Sequence, residues 1–406
     1  MAAENQVKYD MKGLMIAPQP FFTQRGTPFS VYYRARAMVD LGEELDLLTY
    51  GQGLNVSLPG VRIVRGPRFK IFGDVKIGPS ALKLFLDIFV FFQAIYLLLR
   101  SKYDYVHAHE EAIFIAVMLR PFFRYKIIYD MHSSLPEQLK NFSFTRINWV
   151  TDLLMRMEHR ALRASDVVIV ICPSLYDHAK TVLQSTKRII LIENSLCDPV
   201  ELRPIRELPE PTIARDLTEM SRLGKIRLIV YAGTLELYQG IDLLLESFSS
   251  LYDRYDDVNL LILGGTEAQV VYYSKLARSL GITERCHFTG SVIQRLAIHC
   301  NECATIVVSP RTVGTNTPLK IYGQMAGGVP IVATRIETHT QVLTDDIAIL
   351  VDASAASFAE GIQRVLDSPE QAEQIAKNAY YYYMEHYSRP AFMEKVQQIL
   401  DDVART

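Results

Sequence analysis

Short runs rich in Val, Ile and Leu recur between stretches of helical periodicity, and they do so in two separate blocks. The first block holds Gly13–Ala17, Glu44–Thr49, Asp104–His109, Lys126–Asp130, Asp166–Cys172 and Arg188–Glu193. Nearly continuous apolar runs describe strands buried on both faces. Helices between them are what parallel pairing requires, since a hairpin cannot join parallel neighbours. A stretch with Pro199, Pro204, Pro209 and Pro211 interrupts the pattern over Cys197–Gly224. The alternation then restarts with Ile226–Ala232, Val258–Gly264, Ala304–Ser309, Val329–Thr334 and Ile347–Val351, with helical patterns such as Asp242–Leu251 and Glu267–Leu280 between them. At 406 residues the chain also exceeds the roughly 250–300 over which a single core grows. The expected fold is therefore α/β, with two Rossmann-like doubly wound parallel-sheet domains. The first covers residues 1–200, a linker 201–224, and the second 225–385; an amphipathic helix in 386–406 is expected to pack back on the first domain. Ligands of such sheets bind outside the carboxyl ends of the strands, so the loops beginning at Ala17, Asp130, Ala232, Gly264 and Ser309 are the ones that matter.

Composition narrows the partners. Charged residues make up 22% of the chain and the net charge is −2, which gives no basis for nucleic-acid binding. Five cysteines at irregular spacing do not form a secreted disulfide framework, so the cytosol is the expected compartment. Cys300-x-x-Cys303 lacks a second ligand pair at zinc-site spacing and reads as two structural thiols. The N-terminal stretch has no long apolar core, and no signal peptide is expected.

Ala81–Leu99, ALKLFLDIFVFFQAIYLLL, is long and apolar enough for a span of about 20 residues. Lys83, Asp87 and Gln93 argue against a span, and so does the strand that follows, since a crossover helix must lie along its sheet. Arg68, Lys70 and Lys76 before it and Arg100 and Lys102 after it suit an anionic lipid surface, and Phe122, Phe123, Arg124 and Lys126 extend that patch. The expectation is a buried helix that also rests on the inner face of a membrane.

In Ser309–Thr334, SPRTVGTNTPLKIYGQMAGGVPIVAT, a strand runs into a glycine loop, a Thr-Pro helix start and a second strand. Thr317 is expected as N-cap and Pro318 as the first helical residue, with the unpaired amides of that turn and the charge of Lys320 directed at an anion such as a diphosphate. Gly26-Thr27-Pro28 repeats the Thr-Pro device after the first strand. His107 and His109 stand at i, i+2 on one strand and share a face, with His109 nearer the loop.

The order and spacing of several blocks resemble family 4 of the retaining, nucleotide-sugar-dependent glycosyltransferases. The blocks are RGTPFSVYYRARAMVDLG, YDYVHAHEEA, YDMHSSLPEQ, IENS, YAGTLELYQGIDLLLESF, LLILGG, HFTGSV and the Ser309–Thr334 segment. The resemblance implies two facing Rossmann-like domains, the B-type glycosyltransferase fold, with a sugar nucleotide held between them. It places Gly26 and Thr27 beside the donor phosphates, His132 at the donor sugar and His109 on the acceptor side. Gly233, Thr234, Gln239, Gly265, Arg311, Asn316, Thr317 and Lys320 fall at the diphosphate, and the Gly290–Val292 loop, with Val292, at the base. It implies no metal and no cofactor beyond the donor substrate, and a glycan or lipid-linked acceptor.

The chain also departs from the family. Arg and Lys in the loop opening the second domain are replaced by Thr234 and Gln239, and the family's paired glutamates fall on Thr315 and Gly323. Lys320, Arg311 and the amides of Asn316 and Thr317 are the available replacements. Two rival readings follow: a non-catalytic, glycosyltransferase-like partner subunit, or a sugar-nucleotide epimerase or hydrolase. The latter would call on Glu110, Glu111 and Glu137 as acid/base groups.

Overall fold

The computed structural model describes residues 10–23, 26–68, 81–134, 148–184, 188–196, 198, 200, 202–203, 211–314 and 316–405. Lys70, Lys76, Glu137, Thr315 and, within the proline-rich stretch, residues 197, 199, 201 and 204–210 lie outside the described residues. The chain divides into two units: Met1–Asn194 with Glu201–Ile205 and Phe392–Thr406, and Ser195–Val200 with Arg206–Ala391.

The first unit is built on seven strands: β1 (Lys12–Ala17), β2 (Glu44–Thr49), β4 (Val61–Arg65), β5 (Tyr105–His109), β6 (Lys126–Met131), β7 (Val167–Val170) and β8 (Arg188–Leu191). They stand in the order β4-β2-β1-β5-β6-β7-β8, and every pairing is parallel. A separate two-residue pair joins β3 (Asn55–Val56) to β9 (Leu202–Arg203) antiparallel. Helix α1 (Gly26–Asp40) crosses from β1 to β2, α2 (Ala81–Arg100) leads into β5, and α3 (Ala112–Phe123) connects β5 to β6.

The second unit has six parallel strands in the order β12-β11-β10-β13-β14-β15, from β10 (Arg227–Ala232), β11 (Val258–Leu263), β12 (Cys286–Gly290), β13 (Ile306–Ser309), β14 (Ile331–Thr334) and β15 (Ile349–Val351). Successive residues alternate between two cores. Ile229, Tyr231, Leu260, Ile262 and Val308 pack on one face, and Leu228, Val230, Leu261, Leu263 and Val307 on the other. A two-residue side-chain period with both faces covered is why these runs read as continuously apolar.

The interior strands lie within a residue or two of their expected bounds, but β4 and β12 are absent from the sequence reading. Both are edge strands. In VRIVR arginines interrupt the aliphatic residues, and CHFTG is short and polar, as suits a strand with one neighbour. The linker expected over 201–224 is corrected: Thr212–Arg222 is a helix of the second unit, with Ala214, Leu217 and Thr218 buried. Pro211 stands at its N-cap, so the proline that reads as a breaker marks a helix start.

Helix α2 shows how its polar residues are used. Lys83 Nζ lies 3.5 Å from Glu111, the Tyr50 hydroxyl donates to Asp87 at 2.6 Å, and Gln93 donates to the Arg65 carbonyl. Leu86, Val90, Ala94, Leu97 and Leu98 bury the opposite flank in the sheet core. Apart from Arg100 at its end, what remains outside is mostly apolar, with Leu84, Ile88, Phe92, Tyr96 and Leu99 at helical spacing and Leu84 71% and Leu99 72% exposed.

Gly13 of β1 is directly opposite Tyr105 of β5, and a Cβ built on it would stand 2.3 Å from the phenol ring carbon. Tyr105 is fully buried, so the ring cannot swing out. Gly13→Ala is expected to destabilise the unit by about 1–3 kcal/mol by overpacking. Tyr105→Leu should remove most of that penalty in the double variant, read as a non-additive shift in denaturant midpoint.

Candidate functional site

At the carboxyl edge of the second sheet, loops after β10, β11, β12 and β13 come together. Gly233 donates its amide to the Leu263 carbonyl at 3.0 Å, Gly264 donates to the Gly290 carbonyl at 2.8 Å, and the Ser291 hydroxyl donates to the Gly265 carbonyl at 3.0 Å. The contact between the β10 and β11 loops depends on Gly264. Its φ is +116°, and a Cβ there would lie 1.9 Å from the Gly233 carbonyl oxygen. Val292, next along the β12 loop, is half-buried against the apolar core.

Above these loops stand two cations. Lys320 Nζ donates to Gln239 Oε1 at 3.0 Å and lies 4.1 Å from the centre of the Tyr231 ring. Gln239 is buried and its amide nitrogen donates to the Thr234 hydroxyl at 3.4 Å, while the Tyr231 hydroxyl donates to the Thr234 carbonyl at 2.6 Å. Arg311 donates to the carbonyls of Val313 at 2.8 Å and Asn316 at 3.3 Å, with its guanidinium 5.1 Å from the Tyr238 ring centre. Among the described residues neither cation forms an ion pair with a carboxylate. Burial, and then the neighbouring Arg311, push the Lys320 ammonium down to about 7; burial lowers Arg311 as well. Two desolvated cations beside each other with only neutral partners are electrostatically incomplete, and an anion completes them.

The helix start differs from the expectation. The helix runs Leu319–Ala326, and Pro318 is its N-cap, with φ −65° and ψ 133°. The proline ring holds φ at a value a helix allows, but ψ is extended, so the helix begins one residue later than the Thr-Pro pattern suggests. Thr317 is then not the cap; its hydroxyl oxygen is buried without a hydrogen-bond partner, beside the cations' loop. Likewise α1 already begins at Gly26, which puts Thr27 inside its first turn rather than ahead of it.

His339, missed in the sequence, lies at the same edge. Its Nδ1–H donates to the Thr334 carbonyl at 2.7 Å, which leaves Nε2 to accept from the Ser309 hydroxyl at 2.9 Å. Burial lowers its pKa to about 4, so it is a neutral brace between the ends of β13 and β14. Tyr231 was also missed, because a tyrosine in a buried strand looks like core packing. Only its hydroxyl at the strand's end distinguishes it.

In the first unit, His132 and His109 are not open to a loop surface. Both are buried around Asp130, as are His107 and Arg34. Asp130 Oδ2 lies 3.1 Å from Arg34 Nη1, 3.1 Å from His107 Nε2 and 3.3 Å from His109 Nδ1, and its Oδ1 lies 3.2 Å from His132 Nε2. The two rings on β5 stack at 4.6 Å between centres. Arg34 and the histidines hold the Asp130 carboxyl well below the usual carboxylate range against the opposing effect of burial, while burial lowers His107 and His109. His107, His109 and Asp130 present ligand atoms close enough for a metal ion, but Arg34 already supplies the charge that balances this carboxylate. Glu111, after the same strand, is pushed up to about 7 by burial and by Glu110.

Binding an anion must raise the Lys320 pKa. With the free group near 7, it enters the complex protonated and takes up a proton at higher pH. Affinity for a nucleoside diphosphate is therefore expected to fall as pH rises from 7 to 9, measured by calorimetry, and to lose that dependence in Lys320→Met. The folded-state pKa is depressed from 10.5, so the charge costs stability. In the free protein Lys320→Met should raise Tm at pH 7 while weakening diphosphates far more than nucleosides.

Two family models match the chain: Glycosyltransferase Family 4 over residues 25–196 and Glycosyl transferases group 1 over residues 219–381. A D-inositol 3-phosphate glycosyltransferase of Corynebacterium diphtheriae is 26% identical over 213 residues, 49% of this chain and 48% of that protein. A phosphatidyl-myo-inositol mannosyltransferase of Mycobacterium leprae is 27% identical over 173 residues, 42% of this chain and 44% of that protein. The chain thus matches somewhat under half the length of these curated relatives. Among solved structures, sucrose-phosphate synthase from Thermosynechococcus elongatus superposes with a TM-score of 0.73 at 17% identity, covering 97% of this chain and 99% of that one. Anabaena HepE in complex with UDP gives 0.69 at 15% identity, covering 98% and 100%. These likenesses show the two-sheet α/β fold. With one family model lying on each parallel sheet and the two together spanning most of the sequence, the chain belongs to the group 1, family 4 glycosyltransferases.

Proposed function

We propose that the protein is a retaining, metal-independent glycosyltransferase that moves a sugar from a UDP-linked donor to a glycan or lipid-linked acceptor in cell-surface polysaccharide or glycolipid synthesis. The observation that carries this reading is the pair of unneutralised cations, Lys320 and Arg311, at the carboxyl edge of the second sheet. When the bond between the anomeric carbon and the donor phosphate oxygen breaks, its electron pair leaves on the diphosphate. Cations fixed there favour the transition state over the ground state. The acceptor oxygen bonds to the anomeric carbon on the same face, and its proton passes to the departing diphosphate. Gly233, Thr234, Gln239, Gly265, Asn316 and Thr317 serve the diphosphate, and Val292 the base. The resemblance to the family supports Gly26 and Thr27 at the donor phosphates, His132 at the transferred sugar and His109 on the acceptor side. The relatives' names, which specify an inositol phosphate and a phosphatidyl-myo-inositol, favour a hydroxyl-rich acceptor, and the UDP in the HepE structure favours a uridine donor.

The apolar outer face of α2, with exposed Arg100, Lys102 and Arg124 nearby, supports attachment to the inner face of a membrane. The neutral residues at Thr234, Gln239 and Gly323 favour the rival reading, a non-catalytic glycosyltransferase-like partner subunit that has lost donor chemistry and binds or activates an enzyme.

Thermal stabilisation by a panel of UDP-, GDP- and ADP-sugars, followed by nucleotide release with and without a lipid-linked acceptor, decides between them. Binding with acceptor-dependent release is expected; no binding at high micromolar donor defeats the transferase and favours the non-catalytic partner subunit, as does binding without release. For the membrane, flotation with phosphatidylglycerol vesicles should drop at least tenfold in Leu84→Ser/Phe92→Ser/Leu99→Ser. Wild-type protein that stays wholly unbound rejects the attachment.

A further inference from the structure

We infer that Asp130 is a positioning residue that fixes the ring of His132, and that Arg34 of α1 holds Asp130 in place for this task. The inference rests on the proposed contact of His132 with the transferred sugar, and it assigns the groups that orient that contact.

Asp130 is the next-to-last residue of β6, two residues before His132, and is fully buried. An ionised carboxylate only accepts, so a ring nitrogen hydrogen-bonded to it carries a proton. That assigns Nε2–H to His107, which donates to Oδ2 at 3.1 Å. His109 Nδ1 and His132 Nε2 lie 3.3 Å and 3.2 Å from the carboxylate oxygens and hydrogen-bond each other at 3.4 Å, so one proton is shared between those two nitrogens. The Nε2 edge of His132 is thereby turned to His109 and Asp130, and any contact with a sugar comes from the remainder of the ring.

Arg34 anchors the cluster from the other side. It lies 3.1 Å from Oδ2 and donates through Nη2 to the Ile192 carbonyl at 3.0 Å, just past β8. The same helix begins at Gly26, so one buried carboxylate ties the Gly26–Thr27 turn's helix to the histidine at the end of β6. A core built for stability alone would be at least as stable with apolar residues here, since burying one carboxylate with an arginine and three imidazoles carries a large desolvation cost.

The test is a double-mutant cycle with Asp130→Asn and His132→Ala, read in kcat for sugar transfer and in the dissociation constant for UDP alone. Asp130→Asn should lower kcat at least 30-fold, change UDP affinity less than threefold, and cost less than twofold further in the His132→Ala background. An equal loss in both backgrounds overturns the inference. Independently of turnover, two-bond 15N–1H histidine spectra of the wild type should show a single proton between His109 Nδ1 and His132 Nε2, with the His132 resonances displaced in Asp130→Asn. Unchanged His132 resonances also overturn it. If the wild type binds no nucleotide sugar, the proposed function fails while these spectra still decide the positioning. Should Asp130→Asn not fold, His109→Leu, which keeps the Arg34–Asp130 pair, replaces it in the spectra. His132 resonances displaced there support the shared carboxylate, and unchanged ones count against it.

Discussion

Parallel pairing is the constraint on which everything else in this protein depends. A parallel neighbour is reached only by a crossover, so every strand of each sheet sends its carboxyl end, and the loop that follows, to the same edge. Gly233, Gly264, Gly290 and Arg311 are far apart in sequence yet adjoin because β10, β11, β12 and β13 end together. The first sheet does the same for His109, Asp130 and His132, which follow from the parallel register of β5 and β6.

The two sheets treat buried charge in opposite ways. In the first unit, one carboxylate is surrounded by an arginine and three imidazoles, and the arginine balances its charge. In the second, Lys320 and Arg311 have an amide, carbonyls and aromatic faces for company, none of which carries a compensating charge. A balanced charge fixes geometry; an unbalanced one binds. Carrying an uncompensated ammonium costs stability in the free protein, as expected where a site is organised for a charge that arrives with its ligand.

Much of this was legible in the sequence, and the misses have physical causes. Interior strands buried on both faces announce themselves by unbroken aliphatic runs, so β1, β2, β10 and β11 are plain. The edge strands β4 and β12 are not, because one side meets no neighbour and tolerates arginine or threonine. Proline misled twice: Pro211 begins a helix within the supposed linker, and Pro318 takes the cap position expected for Thr317. In both cases the ring constrains φ, while ψ, which the surrounding chain decides, sets where the helix starts.

By itself the sequence determined the α/β class, the two blocks of alternation, and the residue types at the strand ends, because side-chain period and crossover length are local properties. The resemblance to the family also grouped Lys320, Gln239 and Thr234. Tertiary structure alone decided that Lys320 meets Gln239 across 81 residues, that its ammonium sits over Tyr231 with a pKa near 7, and that Asp130 gathers Arg34, His107, His109 and His132. It likewise decided that Lys83, Asp87 and Gln93 of α2 find polar partners within the fold. The reason is common to all of them: desolvation and charge pairing depend on which groups are brought together in space, and a linear pattern records spacing along the chain, not company across it.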